Sequence, residues 1–282
     1  MTELGLTLAE AIDRYVHDGA AVALEGFTHL IPFAAGHEII RQRKRDLHLI
    51  RMTPDIVYDQ MIGMGCARKL TFSWGGNPGV GSLHRLRDAV EHDWPRTIEI
   101  NEHSHAGMAA AFTAGASHLP FGVLRGYLGT DLPAHNPGIR QIACPFTGQS
   151  VAAVPAINPD VTILHAQRAD RAGNVSIMGI LGATREAALA AGTVLVTVEE
   201  FVDALPPALN AVVLPHWIVN AVIQCRGGAY PSYAHGYYER DNAFYQAWDA
   251  IARDRERFTR WMGEHVLETA DHQQFLASLR TG

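Results

Sequence analysis

The chain has 282 residues, 48% hydrophobic and 18% charged, an ordinary globular mix that excludes the disordered and fibrous classes. Its net charge of -6 at pH 7 gives no basic field for nucleic acid, and the one dense cationic run, Arg41-Gln42-Arg43-Lys44-Arg45, reads as a solvated helix end. No apolar run approaches the roughly 20 residues of a membrane span. The first residues lack the basic and apolar regions of a signal peptide, and Cys66, Cys144 and Cys225 lack zinc-site spacing and suit a reducing cytoplasm.

Thr7-Leu8-Ala9-Glu10 is a capping-box pattern, and Leu8, Ala11, Ile12, Tyr15 and Val16 then fall on one helical face. Asp18-Gly19 ends this helix, 21–24 reads as a buried strand, and Glu25-Gly26-Phe27-Thr28-His29 is its glycine-containing exit before a helix through Ile40. Strands over 47–52, 69–72 and 97–101 then alternate with helices over 54–64, 82–92 and 107–114. The alternation predicts an α/β fold with an open, mostly parallel sheet flanked by helices. The last of these helices is built from small residues suited to close packing. The proline-containing stretch 132–137 has no periodicity and reads as a linker or lid. Short strand-like pieces at 141–143, 150–154 and 161–165 suggest a β-rich insertion, followed by a helix at 184–190 and strands at 193–198 and 211–214. The chain closes with a helical C-terminus, about 240–282, packed on the body or on another subunit, and the whole of 1–282 reads as one domain.

Three strand exits could border one crevice, because ligands of such sheets sit beyond the carboxyl ends of the strands. These are Gly26, the loop Ser73-Trp74-Gly75-Gly76-Asn77-Pro78-Gly79-Val80-Gly81-Ser82, and Glu102-His103-Ser104-His105. The loop reads either as a glycine-rich turn or as a cradle of bare N–H groups for an anion or carbonyl, with Ser82 able to cap the helix that follows. Glu102, Ser104 and His105 could transfer a proton or hydrogen-bond a carbonyl oxygen; alternatively Ser104 caps a helix and Glu102 faces solvent. His103 and His105 lack the further close ligands of a metal site. Arg125, alone in an apolar stretch, needs an anion, either a buried structural carboxylate or a substrate carboxylate. The run Asp170-Arg171-Ala172-Gly173-Asn174 is an Asx-type turn with Gly173 at positive φ. A nucleophile-elbow serine and a phosphate-binding Walker loop are both missing.

Several spaced segments resemble the α subunit of family I coenzyme A transferases, of the glutaconate and 3-oxoacid types. They are the 75–81 loop, Glu102-His103-Ser104-His105, 114–121, Gly129-Thr130-Asp131, 169–174 and Gly227-Gly228-Ala229-Tyr230-Pro231, in order along nearly the whole chain. The resemblance implies a homologous β subunit, with the active site between the two, and an α2β2 assembly, with no bound cofactor and a coenzyme A thioester as substrate. It implies that a β-subunit glutamate attacks the acyl-CoA, forming a glutamyl anhydride and then a glutamyl-CoA thioester. The α subunit then binds the acyl group and holds carbonyl oxygens. Gly26, Ser73, Gly76, Asn77, Gly79, Gly81, Ser104 and Arg125 are expected to line the acyl side, with His105 and Glu102 in auxiliary oxyanion or orienting roles. His105 falls where 3-oxoacid transferases carry a glutamine and where a ring-opening hydrolase of the same fold carries a glutamate. A thioester or ring-opening hydrolase is therefore the second enzyme reading, and a noncatalytic small-ligand sensor is the reading from another class.

Overall fold

Alternation along β1 (Ala21–Glu25) places Val22 and Leu24 in one hydrophobic cluster and Ala23 in another, so the strand is covered on both faces. In the computed structural model, which describes residues 2–77, 80–208 and 210–280, the first half runs α1 (Leu8–Tyr15), β1, α2 (Phe33–Arg41), β2 (Leu47–Ile50), α3 (Ile56–Gly63), β3 (Ala67–Phe72), α4 (His84–His92), β4 (Glu99–Glu102) and α5 (His105–Ala116). An antiparallel trio follows, β5 (Phe121–Leu124), β6 (Arg140–Ala143) and β7 (Ser150–Pro155), with the short helix α6 (Leu132–His135) between the first two. The chain returns to the main sheet with β8 (Val161–Asp170), β9 (Val175–Met178), α7 (Thr184–Ala190), β10 (Thr193–Val202), β11 (Ala211–Leu214) and β12 (Ala221–Gln224). It ends with α8 (Asn242–Arg253), α9 (Arg255–Met262), a π-helical turn at Gly263–Leu267, and α10 (His272–Ser278).

The strands β12, β10, β8, β1, β2, β3 and β4 lie side by side in that order and are parallel throughout. The sequence order reverses between β1 and β8, which makes the carboxyl edge there a topological switch point. β8 is longer than its neighbour: Val161–Leu164 pair with β1, while Arg168 and Ala169 pair antiparallel with β9, which in turn pairs with β11. One face is covered by α1 to α4 together with the C-terminal helices, all contributing to a single core cluster. On the other, Met108 and Phe112 of α5 meet Ala183 and Ala187 at α7 over Ala23 and Ile50. The small sheet lays Ala152 and Val154 against Ala111, fixing α5 from outside.

The α/β class, parallel sheet, insertion and helical end agree with the sequence, and the structure differs from it locally at four places. The 161–165 piece belongs to the main sheet as the neighbour of β1, not to the insertion. Residues 132–137 are not a free lid: Leu132–His135 is helical, and buried Asn136 donates from Nδ2 to the Glu102 carbonyl at 2.8 Å. Ser82 does not cap α4. The cap residue is Leu83, and the N–H groups of Arg85 and Leu86 are taken instead by Asp59 Oδ1 from α3, each at 2.9 Å. β5, β9 and β12 are strands that the sequence pattern does not mark.

The C-terminal helices are tied down by an aromatic cluster. Trp248 is fully buried, stacked on Phe244 at 6.2 Å and edge-on to Phe258 and Trp261 at 6.0 and 4.9 Å. Trp248→Ala is expected to cost about 3–5 kcal/mol, read as a lowered urea midpoint; a loss within about 1 kcal/mol would show that α8 is not held by this cluster.

Candidate active site

The exits of β1, β2 and β3 and the first turn of α5 open into a cavity of about 320 Å³. Phe27, Thr28 and Ile31 come from the first exit, Arg51, Thr53 and Asp55 from the second, Trp74 from the third and His105 from α5. Tyr233 and Arg240, from the segment after β12, and Tyr245 of α8 complete the lining.

The β1 exit is a tight hook. Thr28 and Leu30 adopt left-handed φ angles of 65° and 53°, which in non-glycine residues cost about 1–3 kcal/mol each and persist only when the surroundings enforce them. The enforcement is visible: Leu30 N donates to Tyr233 O at 2.9 Å, and His29 stacks on Tyr233 with ring centroids 5.0 Å apart. A Cβ at Gly26 would lie 2.6 Å from the Leu30 carbonyl oxygen, so glycine alone admits the turn. The Gly26 carbonyl accepts from Arg51 Nη2 at 2.7 Å, and Arg51 Nη1 meets Asp55 Oδ1 at 3.1 Å. Arg51 and Asp55 side chains are only 1% and 4% exposed. Burial pushes the Asp55 carboxyl above its usual range against the pull of Arg51. Burial likewise drives Glu25, at the end of β1, up to about 7.

His105 is the first residue of α5, and its Nδ1 lies 3.3 Å from Ser73 Oγ. Ser73 donates its own hydroxyl proton to the Met52 carbonyl at 2.7 Å. Its oxygen therefore faces the imidazole as an acceptor, which selects the tautomer with hydrogen on Nδ1 and leaves Nε2 as the nitrogen for a ligand. In the neutral ring that nitrogen accepts, so a donor role at Nε2 belongs to the imidazolium. The helix start is fixed by Ser104, whose Oγ accepts from Gly107 N at 3.1 Å, and by Tyr127, whose hydroxyl accepts from Ser104 N at 3.0 Å. That hydroxyl occupies the place a Cβ on Gly107 would take. Buried His103 bonds Tyr127 OH at 3.1 Å and Asn136 at 3.2 Å, and burial pushes it down to about 4, so it is a neutral structural residue.

The Coenzyme A transferase profile matches residues 6–224. The chain belongs to the coenzyme A transferase family. It is 65% identical over 282 residues to the A subunit of the 3-oxoadipate CoA-transferase of Pseudomonas knackmussii, covering all of both chains. It is 31% identical to the A subunit of the glutaconate CoA-transferase of Acidaminococcus fermentans, over 97% of this chain and 91% of the relative. The crystal structure of the Acidaminococcus glutaconate coenzyme A-transferase superposes with a TM-score of 0.90 at 29% identity, covering 99% of this chain and 93% of that one.

Of the residues singled out in the sequence, the transferase chain brings His105 to the cavity, while Ser73 and Gly26 stand behind the lining, Ser73 on His105 and the Gly26 carbonyl on Arg51. Gly76 supports its wall, since a Cβ there would lie 2.8 Å from the Trp74 ring. Asn77 is buried, and both atoms of its amide lack a partner among the described residues; Gly79 lies outside the described residues. Gly81 faces elsewhere, its α-carbon packed on Asp249 of α8. Ser104 caps the helix and does not reach the cavity lining. Glu102 does not orient His105: its side chain is exposed, and the ring's partner is Ser73. Arg125 meets neither a buried carboxylate nor this cavity; it is exposed at the end of β5, with Nη2 3.4 Å from Gln149 Oε1. Arg51 carries the signal attributed to Arg125, a lone guanidinium in an apolar stretch at a strand exit, and its carboxylate is four residues on.

Glu25 gives a pH test. Its value of about 7 in the folded chain lies above the ordinary 4.5 of a glutamate, so the folded chain keeps a proton that the unfolded chain releases. The group's contribution to stability is fullest below pH 4.5 and declines as pH rises toward 7. Glu25→Gln removes that decline, so raising pH from about 5 to about 8 should shift the melting-temperature difference in favour of the variant. A difference that stays constant across the range would show that Glu25 is ionised throughout.

Proposed function

We propose that this chain is the α subunit of a heteromeric transferase that moves coenzyme A between a short dicarboxylic or 3-oxo acyl-CoA and a carboxylic acid, with 3-oxoadipate as the favoured acid. The observation that carries the substrate reading is the full-length 65% identity to the Pseudomonas 3-oxoadipate CoA-transferase chain. The cavity at the carboxyl edge of β1, β2 and β3, with an imidazole at its wall, supports this reading as a place for the acyl group. The nucleophile is a carboxylate of the partner β subunit. It attacks the thioester carbonyl, forming an acyl-glutamyl anhydride and releasing CoA thiolate. The thiolate then attacks the glutamyl carbonyl, giving the glutamyl-CoA thioester and releasing the first acid. The acceptor acid reverses the two steps, and the glutamate is restored.

His105 assists as the imidazolium. Nδ1–H stays on Ser73, and Nε2–H donates to the carbonyl oxygen as it gains negative charge. The assembly is α2β2. Cys66 and Cys225 are buried free thiols, pushed up to about 12 by burial, which suits a cytoplasmic protein.

Purified with its β subunit, the chain should transfer CoA, while alone it should be inactive. Full turnover by the single chain, with an acyl-glutamate trapped on one of its own residues, would end the proposal.

His105→Ala is expected to lower the single-turnover rate by about 10²–10³-fold. His105→Gln should retain much more, because an amide N–H replaces the donor. If glutamine and alanine are equally inactive, His105 moves a proton instead.

A further inference from the structure

The polar groups that line the cavity are not equally engaged. Arg51 is committed to Asp55 and the Gly26 carbonyl, and Arg240 to the Tyr245 hydroxyl and the charge of Asp55. The Thr28 and Tyr233 hydroxyls lie 3.4 Å apart and face each other. Thr53, half-buried on the same lining, differs from all of these: among the described residues its hydroxyl has no hydrogen-bond partner. That oxygen is also absent from the buried side-chain atoms sealed off from solvent. A free hydroxyl on a cavity wall supplies one donor and two acceptor sites to whatever fills the cavity.

The backbone on either side of Thr53 is fixed. The Met52 carbonyl accepts from Ser73 Oγ at 2.7 Å and from Ser73 N at 3.1 Å, and the Pro54 carbonyl accepts from Gly76 N at 3.2 Å. Arg51 and Asp55, two residues away on each side, are held by their own contact. Threonine has a single, restricted torsion to its hydroxyl, so the group stays where this backbone puts it. The Ser73 that bonds to the Met52 carbonyl is also the partner of His105, at 3.3 Å. Thr53 therefore follows directly on the carbonyl that fixes the imidazole's partner, and the free hydroxyl and the imidazole are built on one frame.

Resting on the function proposed above, we infer that Thr53 is the specificity-determining residue for a 3-oxo acid: its hydroxyl donates to the ketone oxygen while His105 serves the reacting carbonyl. The two oxygens of such an acid stand on carbons separated by one methylene, so their donors must lie close together, as groups on one frame can. Phe27, Ile31 and Trp74 give the same cavity apolar surface for the rest of the chain. When an acyl chain displaces water from this space, a ketone returns a partner to the Thr53 hydroxyl. A methylene at the same carbon leaves that hydroxyl unpaired, and the site discriminates by the difference.

The test uses the reconstituted αβ enzyme, loaded with CoA from an acyl-CoA and then chased with 3-oxoadipate or with adipate, which has the same chain and both carboxylates but no ketone. The wild type should prefer the 3-oxo acid. Thr53→Val, which puts a methyl where the hydroxyl was at nearly constant volume, should lower kcat/KM for 3-oxoadipate about 10-fold and leave that for adipate unchanged. Thr53→Ser, which keeps the hydroxyl, should retain the preference. Equal losses on both acids, or no loss on either, would overturn the inference while the transferase reading stands. If Thr53→Val fails to fold, an unchanged ratio between the two acids in Thr53→Ala, measured with intact melting temperature, overturns it equally. So does a wild type that transfers CoA to both acids at the same kcat/KM, which needs no variant. A wild-type enzyme that takes up no CoA and transfers to neither acid would remove the transferase reading itself, and this inference with it.

Discussion

The buried contact of Arg51 with Asp55 and the Gly26 carbonyl is the constraint on which the cavity depends. Two charges taken out of water are tolerable only when paired and hydrogen-bonded, and each partner here sits at the exit of a strand or the start of a helix. Arg51 follows β2, Asp55 precedes α3, and Gly26 follows β1. One ion pair thus fixes the spacing of two adjacent strand exits and the point at which the next helix begins. Arg51 Nε has no hydrogen-bond partner among the described residues, so the arrangement is not optimised for stability alone.

The hook after β1 is held from three sides. Its backbone bonds to the 233 region, His29 Nε2 lies 2.7 Å from the Ile180 carbonyl, and the Gly26 carbonyl is held by Arg51. The strained φ angles at Thr28 and Leu30 are sustained by these contacts, and both Thr28 and Ile31 reach the cavity as a result. His105 is positioned by an independent set of bonds, through Ser104, Tyr127 and Gly107. The two halves of the site are therefore built by separate devices that meet at Ser73.

What is legible in the sequence is what closes over a few residues. The capping box at Thr7 and Glu10 is formed in both directions, and Asp170 accepts from Ala172 N and Asn174 N around Gly173 at φ 90°. Helix 184–190 and strand 211–214 have the same bounds in the sequence pattern and in the structure. The alternation of elements suffices for the parallel sheet, and its rule for ligand placement locates Gly26, Ser73 and His105 on one edge. Partners distant in the chain are not legible. Asp59 caps α4 across 26 residues, and Tyr233, Arg240 and Tyr245 reach the cavity from a segment that no local pattern connects to it. Arg125 and Arg51 show the same ambiguity: an isolated cation in an apolar run signals either a buried pair or a strand end in solvent, and only the fold separates them.

The cavity wall formed by Tyr233, Arg240 and Tyr245 arrives late in the chain, on a stretch with its own cap and aromatic anchor, and touches a sheet edge whose His105 and Ser73 are set without it. The wall and the sheet edge are therefore encoded in separate stretches of the gene. Exchange of the later stretch between relatives would reshape the cavity while Ser73 and His105 keep their places, so its outline can vary without rebuilding the sheet.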